Sequence, residues 1–263
     1  MMTLPTFFLP HGGGPCFFMD PDGGPADPMW QPMQAYLASR IDGLPERPRA
    51  ILLISGHWED DRVTVHSGDG QPLLFDYYGF PEHTYRLRWD APGSPEVAAR
   101  AKALIEGAGF PVGEESERGW DHGVFIPMMV TVPGADIPLV QLSLRRDLDP
   151  AAHIAIGRAL APLRDEGVLI VGSGMSFHNL RARGPQVTPV ADEWDAALVD
   201  AVTDPDPVPV PKHGMDSGPD DWWSTTVGSS QLCGACHNVK VDDPTIFSPT
   251  SRQYSGPGLY SGP

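Results

Sequence analysis

Short apolar runs alternate with amphipathic segments over about the first 200 residues. Residues 6–9, 49–54, 137–144 and 168–171 are predominantly apolar, which is typical of strands buried on both faces. Ser94-Pro95-Glu96 predicts a helix start, with an N-cap serine, a proline at the first position and an acidic first turn. Asp149-Pro150 predicts another. Strands separated by such helices imply crossover connections and a largely parallel sheet, so the predicted fold class is α/β.

The pattern changes after about residue 204. Residues 205–211 read Pro-Asp-Pro-Val-Pro-Val-Pro, which excludes a helix and favours extended polyproline geometry. No helical or alternating pattern beyond this run lasts two turns, whereas residues 193–202 are compatible with one more helix. We therefore predict an α/β domain over residues 1–204 and an irregular, atypical Pro/Gly-rich tail over residues 205–263.

Composition and charge narrow the range of partners. The 263 residues include 18 Lys and Arg against 34 Asp and Glu, for a formal net charge of −16. Nucleic acids and anionic membranes both require clustered Lys and Arg, so neither is expected as a partner. Cys16, Cys233 and Cys236 do not form a disulfide framework, and the first nine residues carry no signal-like segment. We therefore expect a cytoplasmic protein.

Three histidines each follow a strand-like run. His11 follows residues 6–9, His57 follows the run that ends at Ile54, and His178 lies behind the Gly172-Ser-Gly174 turn. The carboxyl ends of strands in an α/β sheet are where ligands bind and where distant side chains converge. Three imidazoles at one sheet edge suggest a mononuclear metal site or an acid/base centre. If they form a metal site, His11 and His57 should lie roughly 2–2.3 Å from one ion.

Further motifs run in order over about residues 4–200. They are His11-Gly-Gly-Gly-Pro15, Ser55-Gly-His-Trp58, Asp76-Tyr-Tyr-Gly-Phe-Pro81, Ala91-Pro-Gly-Ser-Pro95, Asp121-His-Gly123, Gln141-Leu-Ser-Leu144, Leu163-Arg-Asp-Glu-Gly-Val-Leu-Ile170, Gly172-Ser-Gly174 and His178-Asn-Leu-Arg181. As a set they resemble the class III extradiol ring-cleavage dioxygenases, in the single-subunit branch that includes DOPA dioxygenases. The resemblance implies a mixed, largely parallel sheet sandwiched by helices. It also implies cleavage of a catechol ring next to its diol with O2.

The resemblance assigns roles to four histidines. His11 and His57 match metal ligands, and His178 matches a histidine that acts as acid/base near the metal and is sometimes counted among its ligands. His122 matches a second catalytic histidine, suited to hydrogen-bonding substrate or oxygen. The cofactor implied is one Fe(II) or Zn(II) per chain. The partners implied are a small aromatic diol and O2, and a homo-oligomer is left open.

The resemblance ends before the family's last metal ligand. Family members carry it near the C-terminus, in a His-Pro-x-x-Glu-His-type segment followed by a Leu-Pro-Leu helix, and no segment of this chain matches. His213, His237, water or nothing would take its place, so we expect domain 1–204 to be incomplete at its C-terminal end. The alternative function is a catalytically impaired, metal-binding remnant of the family.

Other histidines and cysteines receive weaker interpretations. Cys233-Gly-Ala-Cys236-His237 fits the c-type haem attachment pattern, so a haem-bearing electron-transfer fusion is a third hypothesis beside a chance match. His66, His83 and His153 are expected to be exposed or on helix faces.

Overall fold

The computed structural model describes residues 2–174, 185–190, 192, 193 and 196. The strands are β1 (Thr6–Pro10), β2 (Ala50–Asp60), β3 (Val63–His66), β4 (Val112–Glu115), β5 (Leu139–Arg145) and β6 (Val168–Gly174). The α-helices are α1 (Gln31–Ala38), α2 (Pro95–Gly107), α3 (His122–Thr131), α4 (Pro150–Leu160) and α5 (Pro162–Asp165). Among these described residues, no helix is long and apolar enough to cross a membrane.

The six strands form one sheet in the order β1-β6-β2-β5-β3-β4. Strands β1, β6, β2 and β5 are parallel to one another, whereas β3 is antiparallel to β5 and parallel to β4. The sheet is therefore mixed and largely parallel, which confirms the predicted α/β class. Because β1, β6 and β2 are neighbours, their carboxyl ends lie together at one edge of the sheet.

The apolar strands supply side chains to a core on each face of the sheet. Along β2, Ile51 and Leu53 pack in the core that includes residues of α1 and α3. Leu52 and Ile54 pack in the second core, with residues of α2, α4 and α5. Successive side chains of a strand point to opposite faces, so a strand covered on both sides needs a continuous apolar run. The result is a three-layer arrangement with the sheet in the middle.

The helix starts agree with the sequence signals, but one helix is divided. The Ser94 hydroxyl accepts the Val97 N–H at 3.4 Å, and the Asp149 carboxylate accepts the Ala151 N–H at 2.9 Å. The segment after Asp149 forms two helices rather than one, because Pro162 lacks the N–H that would continue α4. The tail, residues 205–263, lies outside the described residues, and residues 193–202 lie largely outside them.

Candidate metal centre

Three imidazoles meet at the carboxyl-end edge of the sheet. His11, His57 and His122 each offer a ring nitrogen, and these three atoms lie within 4.8 Å of one another. The Nε2 atoms of His11 and His57 are 3.1 Å apart. Two nitrogens bound to one ion at about 2.0–2.1 Å would be separated by roughly 2.8–3.4 Å, at angles from 90° to tetrahedral. The donor set and its spacing therefore fit a divalent transition-metal ion.

His11 is buried directly after β1, and the tautomer of its neutral ring follows from its neighbour on β6. Ser173 pairs with Leu9 in the β1–β6 register, and its hydroxyl donates a short hydrogen bond to the Gly123 carbonyl. The single Ser173 proton is thus committed, so the 2.9 Å contact between Ser173 Oγ and His11 Nδ1 requires His11 to donate. His11 therefore has a proton on Nδ1, and in the neutral ring the lone pair is on Nε2, the nitrogen that faces His57.

His57 lies inside β2, since the strand continues to Asp60 instead of ending at Ile54 as the sequence suggested. The register against β5 shifts between Ile54 and Glu59, so His57 occupies an irregular part of the strand. Gly123 packs closely against it: a Cβ on Gly123 would lie 2.9 Å from His57 Cδ2. A residue without a side chain is needed at this approach.

His122 is the first residue of α3, and Asp76 holds it in place. Its backbone N–H and its ring Nδ1–H both donate to Asp76 Oδ1, at 2.9 and 2.8 Å. Burial raises the pKa of Asp76, but the hydrogen bonds and charge of His122 outweigh this and leave the pKa below its ordinary value. An ionised Asp76 fixes a proton on His122 Nδ1, so that Nε2 is the acceptor when the ring is neutral. Asp76 Oδ2 also lies 4.0 Å from His57 Nδ1.

An aromatic cluster flanks His122. The Tyr77 ring lies 5.9 Å from the His122 ring and contacts Phe80, Tyr85 and Phe125, at centroid distances of 5.2–6.2 Å. The Tyr77 hydroxyl donates to the Thr84 carbonyl at 2.7 Å. Burial raises the pKa of Tyr77, so its hydroxyl stays neutral. This side of the site is therefore apolar.

The sequence-predicted residues are only partly within the described structure. His11, His57 and His122 come together, whereas His178, His213, His237, Cys233 and Cys236 lie outside the described residues. Asp76 was missed as an individual site residue, although the Asp76–Pro81 motif contains it. In the sequence, Asp76 is only a carboxylate beside aromatic residues. That pattern does not reveal that its partner is a histidine 46 positions away.

Two histidines expected to be exposed or on helix faces are instead buried in the core. His153 lies on α4 but is fully buried, with Nδ1–H donating to the Asp149 carbonyl and Nε2 accepting the Arg145 N–H. His66 ends β3 and is buried, with its ring 4.5 Å from that of Trp120. His83 is half-buried, and its Nε2 lies 3.1 Å from the Phe18 carbonyl.

Known proteins are similar to this chain in sequence and in fold. Residues 5–211 match a family described as the catalytic LigB subunit of aromatic ring-opening dioxygenase. The dioxygenase tasH of Hapsidospora irregularis is 40% identical over 223 residues, which cover 77% of this chain and 67% of that protein. The 4,5-DOPA dioxygenase extradiol of Beta vulgaris is 41% identical over 202 residues, covering 75% and 72%. A crystal structure of an uncharacterized Escherichia coli K12 protein superimposes with a TM-score of 0.62 and 28% identity, covering 88% of each chain.

Proposed function

Since this chain belongs to the family of the catalytic LigB subunit of aromatic ring-opening dioxygenases, we propose that it cleaves a catechol-type ring with O2 at a metal ion held by His11 and His57. The approach of the two Nε2 atoms to 3.1 Å carries the proposal. A bound Fe(II) ion would supply Lewis acidity towards the substrate hydroxyls and the one-electron chemistry that O2 requires. We favour iron as the catalytic metal because zinc has no redox chemistry.

The protein's own groups bind the substrate and move its protons. The aromatic cluster around Tyr77 would hold the planar ring and keep water from that side of the site. His122 Nε2 would accept a proton from a substrate hydroxyl, and the Asp76 carboxylate would stabilise the imidazolium that results. By resemblance, His178 is the second acid/base residue and a further candidate metal ligand.

The alternative is a metal-binding remnant without turnover. One observation favours it: no segment of the sequence matches the family's C-terminal ligand motif. Two protein ligands hold a ferrous ion less firmly than three, so the alternative predicts weak iron retention. His122, whose ring nitrogen lies within 4.8 Å of those of His11 and His57, is a candidate for a third protein ligand, and so by sequence are His178, His213 and His237.

Oxygen uptake separates the two functions. Protein reconstituted anaerobically with Fe(II) would be tested with DOPA, protocatechuate and plain catechol, with formation of the yellow ring-opened semialdehyde followed in parallel. We expect uptake that is lost in His57→Ala and reduced by about 10²–10⁴-fold in His122→Ala, the range typical of a lost acid/base group. His83→Ala is the matched control, since His83 lies outside the cluster, and should retain activity.

Iron content decides between the remaining outcomes. Bound iron without uptake on any diol would support the impaired remnant. Failure to bind iron would reject a functional metal centre. Uptake that survives His57→Ala would place the chemistry elsewhere in the chain.

A further inference from the structure

The backbone around His57 lies where β2 departs from regular sheet geometry. Pairing of β2 with β6 runs from Ala50 to Ser55, and pairing with β5 shifts register before Glu59. A bulge of this kind re-aims a side chain, but the local ladder no longer dictates the conformation by itself. Some other group must fix the direction in which the His57 ring points.

Two side chains bind the peptide groups of His57. The Ser55 hydroxyl oxygen accepts the His57 N–H at 3.1 Å. The Arg118 guanidinium donates from Nη2 to the His57 carbonyl at 3.3 Å. Both backbone polar groups of His57, its N–H and its carbonyl, are therefore hydrogen-bonded, which restricts its φ and ψ angles.

Both of these side chains converge on Asp121. The Ser55 hydroxyl donates to Asp121 Oδ1 at 2.7 Å, and Arg118 Nη2 donates to Oδ2 at 3.1 Å. Gln141 Nε2 adds a third hydrogen bond to Oδ2 at 2.5 Å. Asp121 is fully buried, and a buried carboxylate is tolerated only when it is paired and hydrogen-bonded, as it is here. The next residue is His122, so Asp121 also adjoins a second histidine of the cluster.

We propose that Asp121 is a positioning residue that fixes His57 through Ser55 and Arg118, and so sets the geometry of the metal centre. The hydrogen bonds of the Asp121 carboxylate come from Ser55, Arg118 and Gln141, and none of them involves an imidazole of the cluster. It acts by aligning the His57 backbone. Groups that orient metal ligands typically change metal affinity by about 10–100-fold when they are removed.

The test compares two variants of this network with a matched control. Asp121→Asn removes the charge that holds Arg118, and Ser55→Ala removes the acceptor of the His57 N–H. Ser143→Ala is the control, because Ser143 is equally buried and its hydroxyl also accepts a backbone N–H, that of Thr64 at 2.9 Å. Its hydroxyl has no contact with His57 in the described structure.

Two measurements report on the network, and the first requires no metal. Amide hydrogen exchange at His57 in the metal-free protein should be about tenfold faster or more in Ser55→Ala and Asp121→Asn than in Ser143→Ala. Exchange at Leu53, in the regular part of β2, corrects for any general loss of stability. Zn(II) affinity, measured by competition with a chromophoric chelator, should fall about 10–100-fold in the two network variants but not in the control.

Each outcome has a defined meaning. Equal His57 exchange in the network variants and the control would overturn the inference, as would unchanged Zn(II) affinity in a wild-type protein that binds Zn(II). The affinity measurement rests on the proposed function, whereas the exchange measurement does not. If wild-type protein binds no metal, the proposed function fails, and exchange at His57 still decides the role of Asp121. If Asp121→Asn does not fold, Ser55→Ala carries the comparison.

Discussion

At the scale of single residues, His153 illustrates why a histidine cannot be assigned from sequence alone. Its place between Asp149 and Ile154 in a predicted helix suggested a helix-face residue, yet the side chain is fully buried. Both ring nitrogens are satisfied by backbone groups, at 2.7 and 3.1 Å. This pairing suits the neutral imidazole only, because the protonated ring has no lone pair left to accept the Arg145 N–H. His153 is therefore structural.

The burial of His153 predicts a pH-dependent stability. Burial lowers the pKa of His153, an effect partly opposed by its hydrogen bond to the Asp149 backbone, so its folded-state pKa lies below the unfolded value of 6.5. The unfolded chain then binds more protons at low pH. The stabilisation is complete above about pH 6.5 and is lost as pH falls towards the folded-state pKa, at up to about 1.4 kcal/mol per pH unit. Burial also lowers the pKa of His66, so His66 contributes to the pH dependence of stability with the same sign.

Urea unfolding of wild type and His153→Gln checks this prediction. Gln does not titrate, so the variant should be less stable at about pH 8, and the gap between the two proteins should narrow as pH is lowered through about 6. A gap that stays constant over this range would mean that His153 has an unshifted pKa.

At the scale of elements, the buried strands were predictable and the short or fully enclosed elements were not. The apolar runs 6–9 and 168–171 begin at the same residues as β1 and β6, because a strand covered on both faces needs continuous apolar residues. Strand β4 has only one buried residue and gives no such signal. Helix α3 is buried almost throughout and contains Pro127, so it has no polar face from which a helical period could be recognised.

The candidate site divides in the same way. His11 and His57 could be placed together because each follows an apolar run in the sequence, and the carboxyl ends of such strands meet at one sheet edge. Asp76 and Asp121 could not be assigned partners, since they hold His122 and Ser55 across 46 and 66 positions of the chain. Such contacts depend on the tertiary fold rather than on local pattern.

The two helix N-caps Asp149 and Ser94 are predicted to contribute unequally to the free energy of unfolding. Asp149 accepts from both Ala151 and Ala152 at the start of α4, at 2.9 and 3.3 Å, whereas Ser94 makes one longer bond of 3.4 Å at the start of α2. Asp149→Ala should lower the free energy of unfolding by about 1–2 kcal/mol and Ser94→Ala by roughly 0.5 kcal/mol. Denaturant titrations would measure the decrease in unfolding free energy of each variant, and equal decreases would contradict the prediction.

At the scale of the whole molecule, metal binding and folding should be coupled. The three histidines come from the end of β1, from β2 and from the start of α3, so only the folded chain brings their nitrogens within 4.8 Å. A ligand that binds only the folded state at about 100 times its Kd stabilises it by about 2.7 kcal/mol. For a domain of this size, that corresponds to a rise in Tm of roughly 5–10 °C.

Thermal unfolding with and without Zn(II) tests this coupling, and three variants locate the ion. His57→Ala should lose most of the shift, whereas Ser143→Ala should keep it from a lower starting Tm, since its buried hydroxyl lies outside the network that holds His57. Cys233 and Cys236 could bind Zn(II) in the unfolded chain, which would reduce the shift. Replacing both by Ser should therefore leave the shift unchanged or increase it. A shift that disappears with the two cysteines but survives His57→Ala would assign the ion to the tail and remove the histidine cluster as the metal centre.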